Sequence, residues 1–130
     1  MSRHLSVVFA LLAFVALFVG CSAAPNVPVI DSVNFPATAT KDASGNFTMT
    51  GTVAAHVTGG TVVKLLVHVP TQNGVSFADS PIDVSGHASP YTILLAVSGA
   101  VPVGTYTYQV IASDTAGTQS APSNGSVVLQ

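Results

Sequence analysis

Gly104-Thr105-Tyr106-Thr107-Tyr108-Gln109-Val110-Ile111-Ala112-Ser113-Asp114-Thr115-Ala116-Gly117 is the stretch that decides the fold of this chain. Tyr106, Tyr108, Val110 and Ala112 alternate with Thr105, Thr107, Gln109 and Ser113. A period of two marks a strand with one face buried, and Val, Thr and Tyr suit a pleated, half-buried surface. Working outward, the pattern recurs. Phe47, Met49, Val53, Ala55 and Val57 alternate with Thr48, Thr50, Thr52, His56 and Thr58, and Tyr91, Ile93, Leu95 and Val97 form a third row. Past Cys21 no apolar stripe at helical spacing appears, so no helix is expected there.

Turn chemistry divides the chain at short intervals: Ser44-Gly45, Gly59-Gly60, Asn73-Gly74, Ser85-Gly86, Pro102-Val103-Gly104, Ala116-Gly117 and Asn124-Gly125. The predicted strands are Val27–Phe35, Asn46–Val57, Thr61–Val69, a weak one over Val75–Ile82, then Tyr91–Val97, Thr105–Ser113 and Ser126–Gln130. Strands this short, with turns at intervals of about ten residues, predict an all-β fold. The expected architecture is a seven-stranded immunoglobulin-like sandwich after an N-terminal signal segment. Phe47, Val53, Leu65, Val67, Ile93, Leu95, Tyr106, Tyr108 and Val110 are its expected core. Pro25 and Pro28 fit an edge position for the first strand. The Gly59-Gly60 link is short enough that its two strands either pair in one sheet or cross between sheets.

The Gly104–Gly117 stretch resembles the penultimate strand and last hairpin of bacterial Ig-like domains, which often read G-T-Y-x-Y-x-V-x-A-x-D-x-x-G and are close in pattern to fibronectin type III modules. Pro90-Tyr91-Thr92-Ile93-Leu94 is similar to their preceding strand. The resemblance implies the sandwich fold and says nothing of function, because such modules serve as spacers, adhesins and enzyme appendages. Without tryptophan and with one cysteine, the chain is not close kin of antibody domains. Gly104 suits a tight start to the strand. One of Tyr106 and Tyr108 is expected to form a tyrosine corner. Asp114 is expected to accept backbone N–H groups across a turn that Gly117 closes.

At the other end, Cys21 follows Arg3, His4 and a charge-free run from Leu5 to Gly20. That run is short of the ~20 residues a membrane-crossing helix needs and matches the apolar region of a secretory signal. Leu17-Phe18-Val19-Gly20-Cys21 resembles a bacterial lipobox, whose cysteine receives diacylglycerol; Phe18 stands where that family usually has leucine. The resemblance implies a signal peptide over residues 1–20, lipidation of Cys21, a lipidated tether over residues 21–26 and an Ig-like domain over residues 27–130. Cleavage after Ala23 or Ala24 to give a secreted product, and an uncleaved anchor, are the two alternatives. The resemblance also implies the bacterial cell envelope as the address, and its outer membrane where there are two, because that family's inner-membrane members carry aspartate after the cysteine and this chain has Ser22. A lone cysteine forms no disulfide within its own chain.

Composition narrows the function. Past the signal, Lys41 and Lys64 stand against Asp31, Asp42, Asp79, Asp83 and Asp114. No basic patch exists to neutralise phosphates, so no nucleic-acid partner is expected. Charged residues are 6% of the chain against a usual ~25%, so Thr, Ser, Asn and Gln must carry solubility. The 48% apolar content is ample for a core.

No catalytic constellation is legible. A hydrolase needs a nucleophile activated by an oriented base; His56 and His68 fall at solvent-facing strand positions, His87 in a loop, and no G-x-S-x-G elbow occurs. An enzyme is not expected, nor any cofactor. Asp79 and Asp83 lie near each other, with Asp114 in another turn, yet nothing resembles a calcium loop and no metal site is expected. Asn46-Phe47-Thr48 and Asn124-Gly125-Ser126 match the glycosylation pattern, a coincidence in a bacterial lipoprotein.

One irregularity points to a surface. Val62 and Leu66 share the polar face of their strand with Lys64 and His68, and Ile111 breaks the polar face of its own. The two strands are neighbours in an Ig-type sheet. Val62, Leu66 and Ile111 therefore form a candidate protein-docking face. The expected function is a membrane-tethered, non-catalytic envelope module that serves protein interaction or support. Its partners are the membrane, through the lipid, and an envelope protein or a second copy. The alternative is a surface lipoprotein that binds glycan or another small ligand through its loops. Ser22 to Asn26 span at most roughly 17 Å when extended, so the domain is expected to sit near the bilayer. The chain ends with the last strand at Gln130, and no second module is expected.

Overall fold

The computed structural model describes residues 26–130; Cys21, the expected signal segment and most of the expected tether lie outside them. Eight strands follow in order: β1 (Val29–Asn34), β2 (Thr38–Ala39), β3 (Phe47–His56), β4 (Val62–His68), β5 (Ser80–Asp83), β6 (Tyr91–Val97), β7 (Gly104–Asp114) and β8 (Ser123–Leu129). No helix occurs among the described residues. One sheet has the order β1-β3-β6 and the other β2-β8-β7-β4-β5. All pairs are antiparallel except β2 with β8. This is an immunoglobulin-like β-sandwich. The Gly59-Gly60 link, with Gly59 at φ 73°, carries the chain from one sheet to the other.

Alternation places the core. Phe47, Val53, Leu65, Val67, Ile93, Tyr106, Tyr108 and Val110 are all buried between the sheets. Leu95, expected with them, is only half-buried: along the edge strand β6 burial falls off past Ile93. The aromatic rings lock the ends of the core. Phe35 meets Tyr108, and Phe77 meets Tyr106, each edge to face at 5.7 Å between centroids. Such pairs add about 0.5–1.5 kcal/mol beyond area burial.

Tyr106 is the tyrosine corner. Its hydroxyl donates to the carbonyl of Pro102, four residues upstream, at 2.7 Å. Tyr106→Phe is expected to lower stability by about 1 kcal/mol, read as a lower urea midpoint at unchanged slope. Gly104 opens β7 at φ 147°, a conformation that favours glycine. At the other end Asp114 Oδ1 accepts the N–H groups of Ala116 and Thr118, both at 2.9 Å, and Gly117 closes the turn at φ 82°.

The structure departs from the sequence reading in four further places. The two-residue β2 is additional; it is held by pairing alongside β8, a contact no local pattern encodes. The weak strand lies at Ser80–Asp83, because Gln72-Asn73-Gly74-Val75 is a tight turn with Asn73 at φ 52° and Gly74 at φ 74°. Beyond the end of β4, the Gln72 amide continues the ladder. It donates to the Thr107 carbonyl at 2.9 Å and accepts the Thr107 N–H at 2.8 Å. Asn124-Gly125, read as a turn, lies inside β8, where the Tyr108 ring fills the space a side chain at Gly125 would need. The fourth departure concerns Val62. The register of β4 against β7 shifts between Val62 and Lys64, and this bulge reverses the alternation of the first residues.

Candidate docking surface

The bulge corrects the candidate face. Val62 is 3% exposed and belongs to the core, and Val63 takes the outward position assigned to it. Leu66 and Ile111 are direct partners across β4 and β7, both half-buried and neither packed on the core. On the other side of Leu66, β5 places Pro81 in register. Pro81, Leu66 and Ile111 thus form one apolar row across the outer face of the five-stranded sheet. Beside it lies a hollow of about 520 Å³, lined by Val63, Leu66 and Pro81 and by Lys64, Asp114 and Gln119.

Polar groups rim the row. Lys64 and Asp83 are register partners. The Ser85 hydroxyl at 2.6 Å and the Ser85 N–H at 2.9 Å hold the Asp83 carboxyl below its ordinary pKa. His68 Nδ1 hydrogen-bonds Asp79 Oδ1 at 2.6 Å. His56 is bonded in the same way to Asp31 at 2.8 Å, on the three-stranded sheet. His87 lies in a different cleft, with Asp83 and Tyr91. The three histidines are therefore dispersed. Asp79 precedes β5 and Asp83 ends it, while Asp114 serves its own turn. No group of three His, Cys, Asp or Glu side chains is placed to hold a metal among the described residues.

Tyr91, Tyr106 and Tyr108 are all buried, leaving no tyrosine ring on the surface for stacking on a sugar. Burial also raises the pKa of the Tyr108 hydroxyl. Every buried side-chain N or O atom among the described residues has a hydrogen-bond partner. The surface thus offers an apolar row with charged margins, a composition suited to protein contact. Reading the sequence alone missed Val63, which only the bulge turns outward, and Pro81, whose strand was set too early.

No protein-family model matches the chain, and no curated protein matches it. Several solved structures are similar to it, two of which follow. One is the SrpA adhesin of Streptococcus sanguinis, at 12% identity and a TM-score of 0.49 over 83% of this chain; the chain spans 60% of that structure. The other is the PKD domain of an M14-like peptidase from a Thermoplasmatales archaeon, at 15% identity and a TM-score of 0.49, over 82% of this chain and 96% of that one.

Proposed function

We propose that this chain is a lipid-anchored, non-catalytic Ig-like module of the bacterial cell envelope, and that it docks another envelope protein through the outer face of its five-stranded sheet. The observation that carries the docking function is the row Pro81–Leu66–Ile111, an apolar strip on the side of the sheet away from the core. Isolated surface hydrophobes are ordinary, whereas a contiguous row with a charged rim supports the reading of a contact site. The anchor rests on Cys21 and on Val19-Gly20 before it. Lipid attachment at Cys21 would hold the domain within a few residues of the bilayer, so its partner is a protein at the membrane surface.

Leu66→Asp combined with Ile111→Asp tests this function. Neither side chain packs on the core, so the double variant should keep a thermal midpoint near that of the wild type. It should also lose the partner recovered with the wild type from cross-linked envelopes. Unfolding of the variant would return both side chains to the core and remove the docking face.

A further inference from the structure

We propose that the free edge of β6 pairs antiparallel with β6 of a second copy of this chain, joining two three-stranded sheets into one. This deepens the reading of an interaction module, but it stands on β6 and not on the anchor or the outer hollow. A sheet edge offers unpaired N–H and C=O groups on alternate residues, and proteins ordinarily block such edges with bulges, proline, charge or brevity. Among the described residues the two sheets have four edges, and three are blocked. β1 carries a bulge between Ile30 and Ser32, with Asp31 bonded to His56. β5 is four residues long and contains Pro81 and Asp83, and β2 is two residues long. β6 has none of these devices. Its seven residues, Tyr91-Thr92-Ile93-Leu94-Leu95-Ala96-Val97, carry no charge, proline or glycine, and they follow β3 in unbroken register.

The sequence of β6 fits its own copy. A two-fold axis at Leu94 sets Leu94 against Leu94, Ile93 against Leu95, Thr92 against Ala96 and Tyr91 against Val97. Leu94 is 68% exposed, the most exposed large hydrophobic side chain among the described residues, and it would sit at the centre of the contact. With no charge in the strand, symmetry brings no like charges together. The inner face carries the second half of the match. Leu95 and Val97 are half-buried at one end of the edge. At the other end a cleft of about 350 Å³, lined by Ile82, Val84, Tyr91 and Ile93 with Asp83 and His87, opens between the sheets. The two-fold brings Leu95 and Val97 of the second copy opposite Ile93 and Tyr91, over this cleft. The contact is thus isologous, each copy giving the other what it lacks.

Cysteine trapping tests the pairing on the full chain purified in mild detergent. Residues opposite each other on an antiparallel ladder have Cα atoms about 4.5–5.5 Å apart, within the disulfide range of about 4.4–6.8 Å. Oxidised Leu94→Cys should form a covalent dimer whose mapped linkage joins the two introduced thiols. Leu66→Cys, on the other sheet, should give no more dimer than the wild type. Leu94→Lys, which sets like charges together on the axis, should convert a sedimenting dimer to monomer with an unchanged far-UV spectrum. Trapping of Leu94→Cys no greater than that of Leu66→Cys, or a wild type that sediments as a monomer, would overturn the proposal. A linkage from the introduced thiol to Cys21 of the same chain would overturn it too, by giving the edge to the chain's own N-terminal residues. A dimer that survives Leu94→Lys and is lost with Leu66→Asp and Ile111→Asp would move the contact to the outer hollow. Loss of the envelope partner with the 94-to-94 linkage intact would count against the docking function alone.

Discussion

Truncating Phe47 to alanine is expected to lower the unfolding free energy by about 3–5 kcal/mol. Phe47 is fully buried and heads the largest fully buried side chains among the described residues. It sits at the start of β3, opposite Val97 on β6, with the Lys41 ammonium 5.4 Å from its ring centroid. Removing the ring leaves a cavity between sheets that are pinned at several other points, so little collapse can refill it. Domains of this kind are stable by only about 5–15 kcal/mol. The variant should therefore unfold at a much lower urea midpoint, with an unchanged slope if the denatured state is the same. Leu66→Ala is the comparison. Its side chain lies on the outer face, and its effect should stay within about 0.5 kcal/mol. A Phe47→Ala variant as stable as Leu66→Ala would mean that the two faces of the sheets have been exchanged.

Cys21→Ala is expected to remove the chain from membranes almost completely, or to leave it as unprocessed precursor. The run from Leu5 to Gly20 is short of the ~20 residues a membrane-crossing helix needs. On the proposed function, lasting attachment rests on acyl chains, each buried CH₂ contributing about 0.8 kcal/mol. Fractionation followed by blotting reads the result. Wild-type levels of Cys21→Ala in the membrane pellet, at the mature mass, would rule out the lipid as the anchor.

How much of this was legible follows from where the information is local. The β6 boundaries read from alternation match the structure at both ends, and β7 is one residue longer at each end than predicted. The inward residues of both strands repeat without a break, so the period alone placed them. β4 shows the limit of that method. A single extra residue opposite β7 reverses the faces from that point, so Val62 is buried and Val63 is outward, although nothing in Thr61-Val62-Val63-Lys64 marks the bulge. Asn124-Gly125 misled in the opposite direction. Its chemistry is that of a turn, but the glycine lies in a strand because the Tyr108 ring passes over it. Leu66 and Ile111 were legible as outward residues because each interrupts a polar face. Their pairing with Pro81 was not, since it depends on where β5 joins the sheet. The open edge of β6 was likewise invisible, because an edge is a property of the sheet order and not of the strand.

The most direct test of a lipid-anchored module is intact-mass and peptide analysis of the native protein taken from the membrane fraction. The proposed function predicts a chain that begins at Cys21, with diacylglycerol on the sulfur. An unmodified Cys21 thiol in that fraction, on a chain that retains residues 1–20 or begins after Ala23 or Ala24, would contradict it.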